Sequence, residues 1–259
     1  MDLGIAGRRA LVCASSRGLG RACALALAQA KCEVVINGRD GSVLEQTAKE
    51  LRRASGAHIR AVQADVATAE GQAALIDACP APDILVNNNA GPPFRDFRQL
   101  ARAQIIDGVI ANMVGAIELI QKVIDSMVAA RFGRIVNITS GSVKMPLAGL
   151  DLSSGARAGL TAFLAGVARS VAASNVTINF LLPGTFDTKR LQSNIAANAK
   201  NKGHSIEQAR AERMGTVPAR RFGNPDEFGA ACAFLCSEHA GYITGQSILI
   251  DGGAFPGVL

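Results

Sequence analysis

Aromatic side chains are nearly missing from this chain. It has no tryptophan, one tyrosine (Tyr242) and ten phenylalanines in 259 residues. Its core therefore has to be aliphatic, built from Ala, Leu, Val and Ile. Cysteines stand at 13, 23, 32, 79, 232 and 236, and no two form a C-x-x-C pair. No His or further Cys is spaced to complete a zinc site, so no metal is expected. Reduced thiols in a cytoplasmic compartment are expected instead. Cys232 and Cys236, one helical turn apart, read as two small core residues. Like charges do not run beyond a pair or so, and no aromatics interleave with them. A nucleic-acid groove is thus not expected, although the net charge is +6. An anionic small ligand suits that excess better. The N-terminus, Met1-Asp2-Leu3-Gly4, lacks a basic region followed by an apolar one, so no signal peptide is expected. No apolar run is expected to span a bilayer, and no membrane partner is expected.

What is present is a regular alternation of strand and helix patterns. Strands are expected at Ala10–Ala14, Glu33–Asn37, Ile59–Gln63, Asp83–Val86, Arg134–Thr139, Thr177–Leu182 and Ser247–Ile250. Helices are expected at Gly20–Ala30, Ser42–Ala54, Thr68–Ala78, Ala101–Ala130, Ser154–Ala173 and Asp226–Leu235. The spacing puts Val43, Leu44, Ala48 and Leu51 on one face of the second helix. Asp83–Val86 reads as a strand buried on both sides. Repeated βα units of this length imply an α/β fold. It is a single-domain, Rossmann-type, doubly wound parallel sheet of about seven strands with helices on both faces. No repeat, low-complexity segment or linker divides residues 1–259. Ligands of such sheets bind beyond the carboxyl ends of the strands.

The rest of the chain is arranged around Cys13-Ala14-Ser15-Ser16-Arg17-Gly18-Leu19-Gly20, which follows the first strand and opens the first helix. Gly18 and Gly20 carry no Cβ, so backbone N–H groups can approach a ligand closely. The helix dipole points its positive end at the same place. Strand, glycine turn and helix N-terminus together make a pyrophosphate site, and a dinucleotide is the usual occupant. Ala14 stands where a first glycine is expected, so the match is partial. Past the second strand comes Asn37-Gly38-Arg39-Asp40. A carboxylate directly after that strand would bind a ribose 2′-hydroxyl. Here Gly38 takes the place and Arg39 follows, which suits a 2′-phosphate. Arg17 adds charge nearby. NADP is therefore favoured over NAD, with Asp40 the residue that keeps NAD open.

Several further segments recur in one family in this order. They are Asp65-Val66, Asn87-Asn88-Asn89-Ala90-Gly91, Asn112, Ile135 to Ser140, Pro183-Gly184, Arg221 to Glu227, and Tyr242 to Gln246 with Asp251-Gly252-Gly253. Over essentially its whole length the chain resembles the short-chain dehydrogenase/reductases, and within them the 3-oxoacyl-acyl carrier protein reductase type. The resemblance implies that Asp65 hydrogen-bonds the adenine with Val66 beside it. It places Asn88 or Asn89, with Asn88 favoured, and Ala90 on the adenosine side of the cofactor. It places Ser15, Ser16, Arg17, Gly18, Leu19 and Gly20 at the diphosphate, and Pro183, Gly184, Thr185 and Thr188 at the nicotinamide carboxamide. Residues 189–214 would be a mobile substrate lid with Gly203 as hinge. The family usually forms tetramers or dimers, through the helices expected at 101–130 and 154–173.

The family works with an asparagine, a serine, a tyrosine thirteen residues after the serine, and a lysine four further on. Asn112 and Ser140 match. Ser153 stands where tyrosine is expected and Arg157 where lysine is expected, and the flank Ala156-Arg157-Ala158-Gly159-Leu160 fits. A phenol of pKa about 10 can be tuned by a nearby cation. An aliphatic hydroxyl cannot, and arginine stays charged. Arg157 can still bind ribose hydroxyls. The cofactor site is thus kept while the proton donor is lost. Three outcomes are open. One is reduction of a conjugated enone, with Ser140, Asn112 and Lys144 at the oxyanion. Another is carbonyl reduction with a substitute acid from Lys144, Asp151 or His204. The third is a catalytically impaired NADP-binding sensor or partner subunit.

Overall fold

The computed structural model describes residues 1–258. Seven strands form one parallel sheet in the order β3-β2-β1-β4-β5-β6-β7. They are β1 Arg9–Val12, β2 Glu33–Gly38, β3 Ile59–Gln63, β4 Ile84–Asn87, β5 Gly133–Ile138, β6 Val176–Pro183 and β7 Ser247–Ile250. The helices are α1 Gly18–Gln29, α2 Gly41–Ser55, α3 Ala69–Ala78, α4 Arg102–Val109, α5 Gly115–Ala130, α6 Asp151–Val171, α7 Lys189–Lys202, α8 Ile206–Gly215 and α9 Pro225–Leu235. The doubly wound, single-domain α/β architecture expected from the alternation is the one observed. The order turns back at β1, with β2 on one side and β4 on the other. The crevice at that reversal is where such sheets take ligands.

Aliphatic side chains fill both sides of the sheet. One layer joins Val12, Val34 and Ile36 to Leu27 of α1, Leu44 and Leu51 of α2 and Phe228 of α9. The other joins Leu11, Leu85 and Ile135 to Leu119 and Val123 of α5 and Leu160 and Leu164 of α6. Adjacent strand residues alternate between the layers, as a parallel strand covered on both faces requires. Small residues set the closest approach. A Cβ on Gly229 of α9 would lie 2.5 Å from the Ala22 carbonyl oxygen of α1, so only glycine lets these two helices touch backbone to backbone.

Three expectations need correction. Strand β1 ends at Val12 rather than Ala14, because Ala14 takes a left-handed φ of 43° and turns the chain. The helix expected over Ala101–Ala130 is interrupted by a π turn at Ile110–Val114 between α4 and α5. Taken as one piece, Arg102–Ala130 has a stretch of mean hydropathy 1.5, long and apolar enough by length and composition to cross a membrane, contrary to the expectation of no such run. In the fold its second half covers the sheet, with Leu119, Ile120, Val123 and Met127 buried. Within the segment 189–214, α7 and α8 meet at Gly203, whose φ of 68° closes α7 and breaks the helical run. Ile195, Ala199, Ala209 and Phe222 make a small core of their own there.

All six cysteines are free and buried. Burial pushes the thiols of Cys13 and Cys32 up to about 12 and that of Cys79 to about 11. Thiolate is therefore scarce at neutral pH. In the native protein an aromatic disulfide reagent at pH 8 should label none of the six thiols within minutes, and all six after denaturation. Fast native labelling of any one would contradict this packing.

Candidate active site at the carboxyl edge of the sheet

The turn between β1 and α1 is held from below by Asn37, the buried polar residue near the end of β2. Its Oδ1 accepts from Ala14 N, its Nδ2 donates to Ala64 O at 2.8 Å, and its backbone N donates to Ser15 Oγ at 3.0 Å. Ser15 Oγ itself donates to Val12 O at 2.6 Å. Ser15 is therefore turned inward, and the expectation that it faces the ligand is corrected: its side chain braces the turn. Ser16 is half-buried and lies under Gly38, where a Cβ would come within 2.8 Å of Ser16 Oγ. Gly18 has a φ of 56°, and a Cβ on Gly20 would strike Ala14 O at 2.5 Å. Leu19 packs inward on the core. No side chain caps the N-terminus of α1. Its first N–H groups are open to an acceptor from outside, and a diphosphate fits such a cradle.

Beyond β2, Arg39 and Arg17 are both exposed. Arg17 lies 3.2 Å from Asp40, and Arg39 lies 3.7 Å from Asp65. Such exposed pairs are weak and readily exchanged for a stronger anion. Asp40 is committed elsewhere: its Oδ1 accepts from Val43 N and Ser42 Oγ and caps α2. These bonds hold its carboxyl below the usual range. Asp65 is half-buried and accepts from Ala67 N at 3.0 Å. Val66 is buried beside it.

The two asparagines after β4 separate clearly. Asn88 Nδ2 donates to Ala14 O at 3.1 Å and ties this segment to the glycine turn, whereas Asn89 Nδ2 donates to Ala111 O at 2.8 Å. Ala90 is exposed, its N–H on Asn89 Oδ1. On the far side of the crevice, Pro183 ends β6, and a Cβ on Gly184 would lie 2.6 Å from Asp251 Cα. Thr185 Oγ1 accepts from Arg213 of α8 at 3.3 Å. Thr188 caps α7, and its methyl lies 3.8 Å from the place of a Cβ on Gly18. The start of α7 thus reaches the glycine turn.

Ser140 follows β5 and accepts from Ser142 N at 3.1 Å, with the two hydroxyls 2.9 Å apart. Ser153 and Arg157 lie on successive turns of α6, and both are buried. Arg157 Nε donates to Ser153 Oγ at 3.2 Å, and its two terminal nitrogens donate to Ile138 O at 2.7 Å and Asn89 O at 3.4 Å. All three acceptors are neutral, and no carboxylate lies within ion-pair distance among the described residues. Burial, and secondarily the charge of Arg190, pull its pKa down to about 10, which leaves it cationic at neutral pH. Asn112 sits in the π turn, a distortion frequent at functional sites. Its Nδ2 gives one of its two hydrogens to Gly108 O at 3.1 Å. Behind Arg157 lies a cavity of about 20 Å³ lined by Asn87, Asn88, Asn89, Asn112 and Asn137 among others. Of the other candidates, Lys144 is half-buried with Nζ 5.9 Å from the Phe255 ring centre. Asp151 accepts from Gly149 N, and His204 pairs with Glu212 at 3.0 Å.

A family model described as enoyl-(acyl carrier protein) reductase matches residues 13–254. The chain belongs to the short-chain dehydrogenase/reductase family. It is 31% identical to a 3-oxoacyl-[acyl-carrier-protein] reductase of Aquifex aeolicus, over 98% of this chain and 100% of that one. It is 29% identical to an NADPH-dependent reductase of Bacillus subtilis, over 97% and 99%. Among solved members of the family, L-sorbose reductase from Gluconobacter frateurii, complexed with NADPH and L-sorbose, superposes with a TM-score of 0.95 at 27% identity, over 100% of both chains. The fold and the order of its site segments are thus those of short-chain reductases.

Two contributors carry no role in the sequence-based reading. In the sequence Asn37 stands only as a neighbour of Arg39, although an asparagine at the end of an apolar strand is the signal for a buried polar anchor. Arg190, two residues past Thr188, gives no signal in the sequence. Asn37→Ala should lower stability by about 1–3 kcal/mol, because Ala14 N–H and Ala64 C=O lose their partner. The urea midpoint should fall with an unchanged slope; an unshifted midpoint would remove Asn37 from this role.

Proposed function

We propose that the chain is an NADP(H)-dependent short-chain reductase that acts on an activated carbonyl compound, a conjugated enone ahead of a simple ketone. One observation carries the choice: Ser153 is hydrogen-bonded to a buried Arg157 that is cationic at neutral pH, and an aliphatic hydroxyl there is a far weaker proton donor than the phenol it replaces. The names of the relatives support the reductase class and the phosphorylated cofactor. Gly18, Leu19, Gly20 and the open N-terminus of α1 would take the diphosphate. Arg17 and Arg39 would exchange Asp40 and Asp65 for the 2′-phosphate. Asp65, Val66, Asn88 and Ala90 would flank the adenosine half, and Pro183, Gly184, Thr185 and Thr188 the nicotinamide half. Arg157 would also reach the ribose.

The bound cofactor supplies the hydride. Hydride delivered to the β-carbon of an enone leaves an enolate oxygen that needs stabilisation before it needs a proton, and water can protonate the carbon afterwards. Ser140 O–H, the Arg157 guanidinium and the second N–H of Asn112 would be the donors for that oxygen, with Lys144 a further candidate. A ketone, by contrast, requires a proton on oxygen during transfer. Losing the acid there costs about 10²–10⁴ in rate. Helices α7 and α8, residues 189–214, would form the lid over the substrate. The exposed Ile105, Ile106 and Phe163 on α4 and α6 suit the homodimer or homotetramer contact proposed for these helices.

The test is a panel of enones and 3-oxoacyl thioesters with NADPH, followed by cofactor absorbance. Turnover of enones well above thioesters is expected. Ser153→Tyr with Arg157→Lys should raise carbonyl reduction by about 10²-fold or more. Turnover of thioesters alone would move the assignment to carbonyl reduction with a substitute acid. Tight NADPH binding with no turnover in either form would favour the non-catalytic sensor.

A further inference from the structure

Two guanidinium groups converge on one point of the crevice. The place of a Cβ on Gly91 lies 3.4 and 3.5 Å from the terminal nitrogens of Arg190 and 3.6 Å from one of Arg157. Arg157 comes from α6 and is 7% exposed, fixed by three neutral oxygens. Arg190 comes from the first turn of α7, is exposed, and reaches only Pro92 O, at 3.5 Å. Neither has a carboxylate within 4 Å among the described residues. Elsewhere on the surface the arginines find acids readily, as Arg210 does with Asp187 at 2.8 Å and Arg221 with Glu227 at 2.6 Å.

Two like charges held this close repel, and one of them is already poorly solvated. An oxygen anion between them would remove both penalties and would receive N–H donors from two planar groups at once. Gly91 leaves the room for it, since any side chain there would fill the gap between the two guanidiniums. We propose that Arg157 and Arg190 form a two-guanidinium oxyanion site, for a carboxylate or phosphate group, closed from above by the first turn of α7. This deepens the reductase reading and rests on it for the identity of the ligand: the anion is either the cofactor's diphosphate or an acid group on the substrate. Arg190 is then a specificity-determining residue carried by the segment proposed as the lid.

The experiment uses the full chain and the variants Arg190→Gln and Gly91→Ala. The first removes one charge from an exposed position. The second fills the gap without altering charge, at a glycine whose φ is not in the left-handed region. Probes are inorganic diphosphate, NADPH, adenosine 2′,5′-bisphosphate, and acetoacetate and its methyl ester on the NADPH-loaded protein. Inorganic diphosphate should bind the wild type and be weakened about 10-fold or more in both variants. If the cofactor is the source, NADPH weakens likewise while adenosine 2′,5′-bisphosphate does not. If the substrate is the source, NADPH is unchanged, acetoacetate weakens and its ester does not. Equal affinities of wild type and both variants for diphosphate, NADPH and acetoacetate would overturn the site. Failure of the wild type to bind NADPH at all would instead remove the reductase reading, and inorganic diphosphate would then decide the anion site alone.

Discussion

A fixed positive charge buried at the carboxyl end of β5 governs this site. Arg157 is held by the carbonyls of Ile138 and Asn89 and by the hydroxyl of Ser153. Those neutral partners set its position without neutralising it. Because its acceptors come from β5 and from the segment after β4, the guanidinium links the two strand ends that border the crevice. The Ser153 hydroxyl that accepts from it is aliphatic and holds its proton at neutral pH. Position and charge thus have one structural cause, and the missing proton follows from serine standing at 153.

The other half of the crevice is built on uncharged contacts. Asn37 supports the glycine turn from β2, and Asn88 ties it to the segment after β4. Three adjacent strands thus fix one loop whose own residues include only two glycines where a third is expected. Ala14 takes the left-handed φ that the missing glycine would adopt easily. Its strain is of the order of 1 kcal/mol, comparable to one hydrogen bond, and the two bonds at its backbone N and O offset it.

Much of this was legible in the chain. Strands β3 and β7 fall on the residues expected from alternation, Ile59–Gln63 and Ser247–Ile250. Periodicity and turn residues are local, and they read well wherever a strand is covered on both faces. The segments past each strand end were legible for the same reason, since a parallel sheet brings them all to one edge. What escaped depends on contacts far apart in sequence. The inward turn of Ser15 is set by Asn37, 22 positions later. The Asn112 bond to Gly108 O lies in the π turn, which carries no compositional mark. Arg190 meets Gly91 only because α7 folds back over the crevice. The sequence pattern favours Asn88 over Asn89 without a contact to tell them apart, and their different carbonyl partners supply one.

The π turn has one more effect. An additional residue in a single turn rotates everything before it by about 100° relative to everything after it. The apolar residues of α5 can therefore seat on the sheet while Ile105 and Ile106 of α4 look outward. The two halves thus present different faces on one rod. Where α4 does turn inward, at Gly108, it lies against Leu152 of α6, so the outward side chains ride on a helix that is anchored at its base.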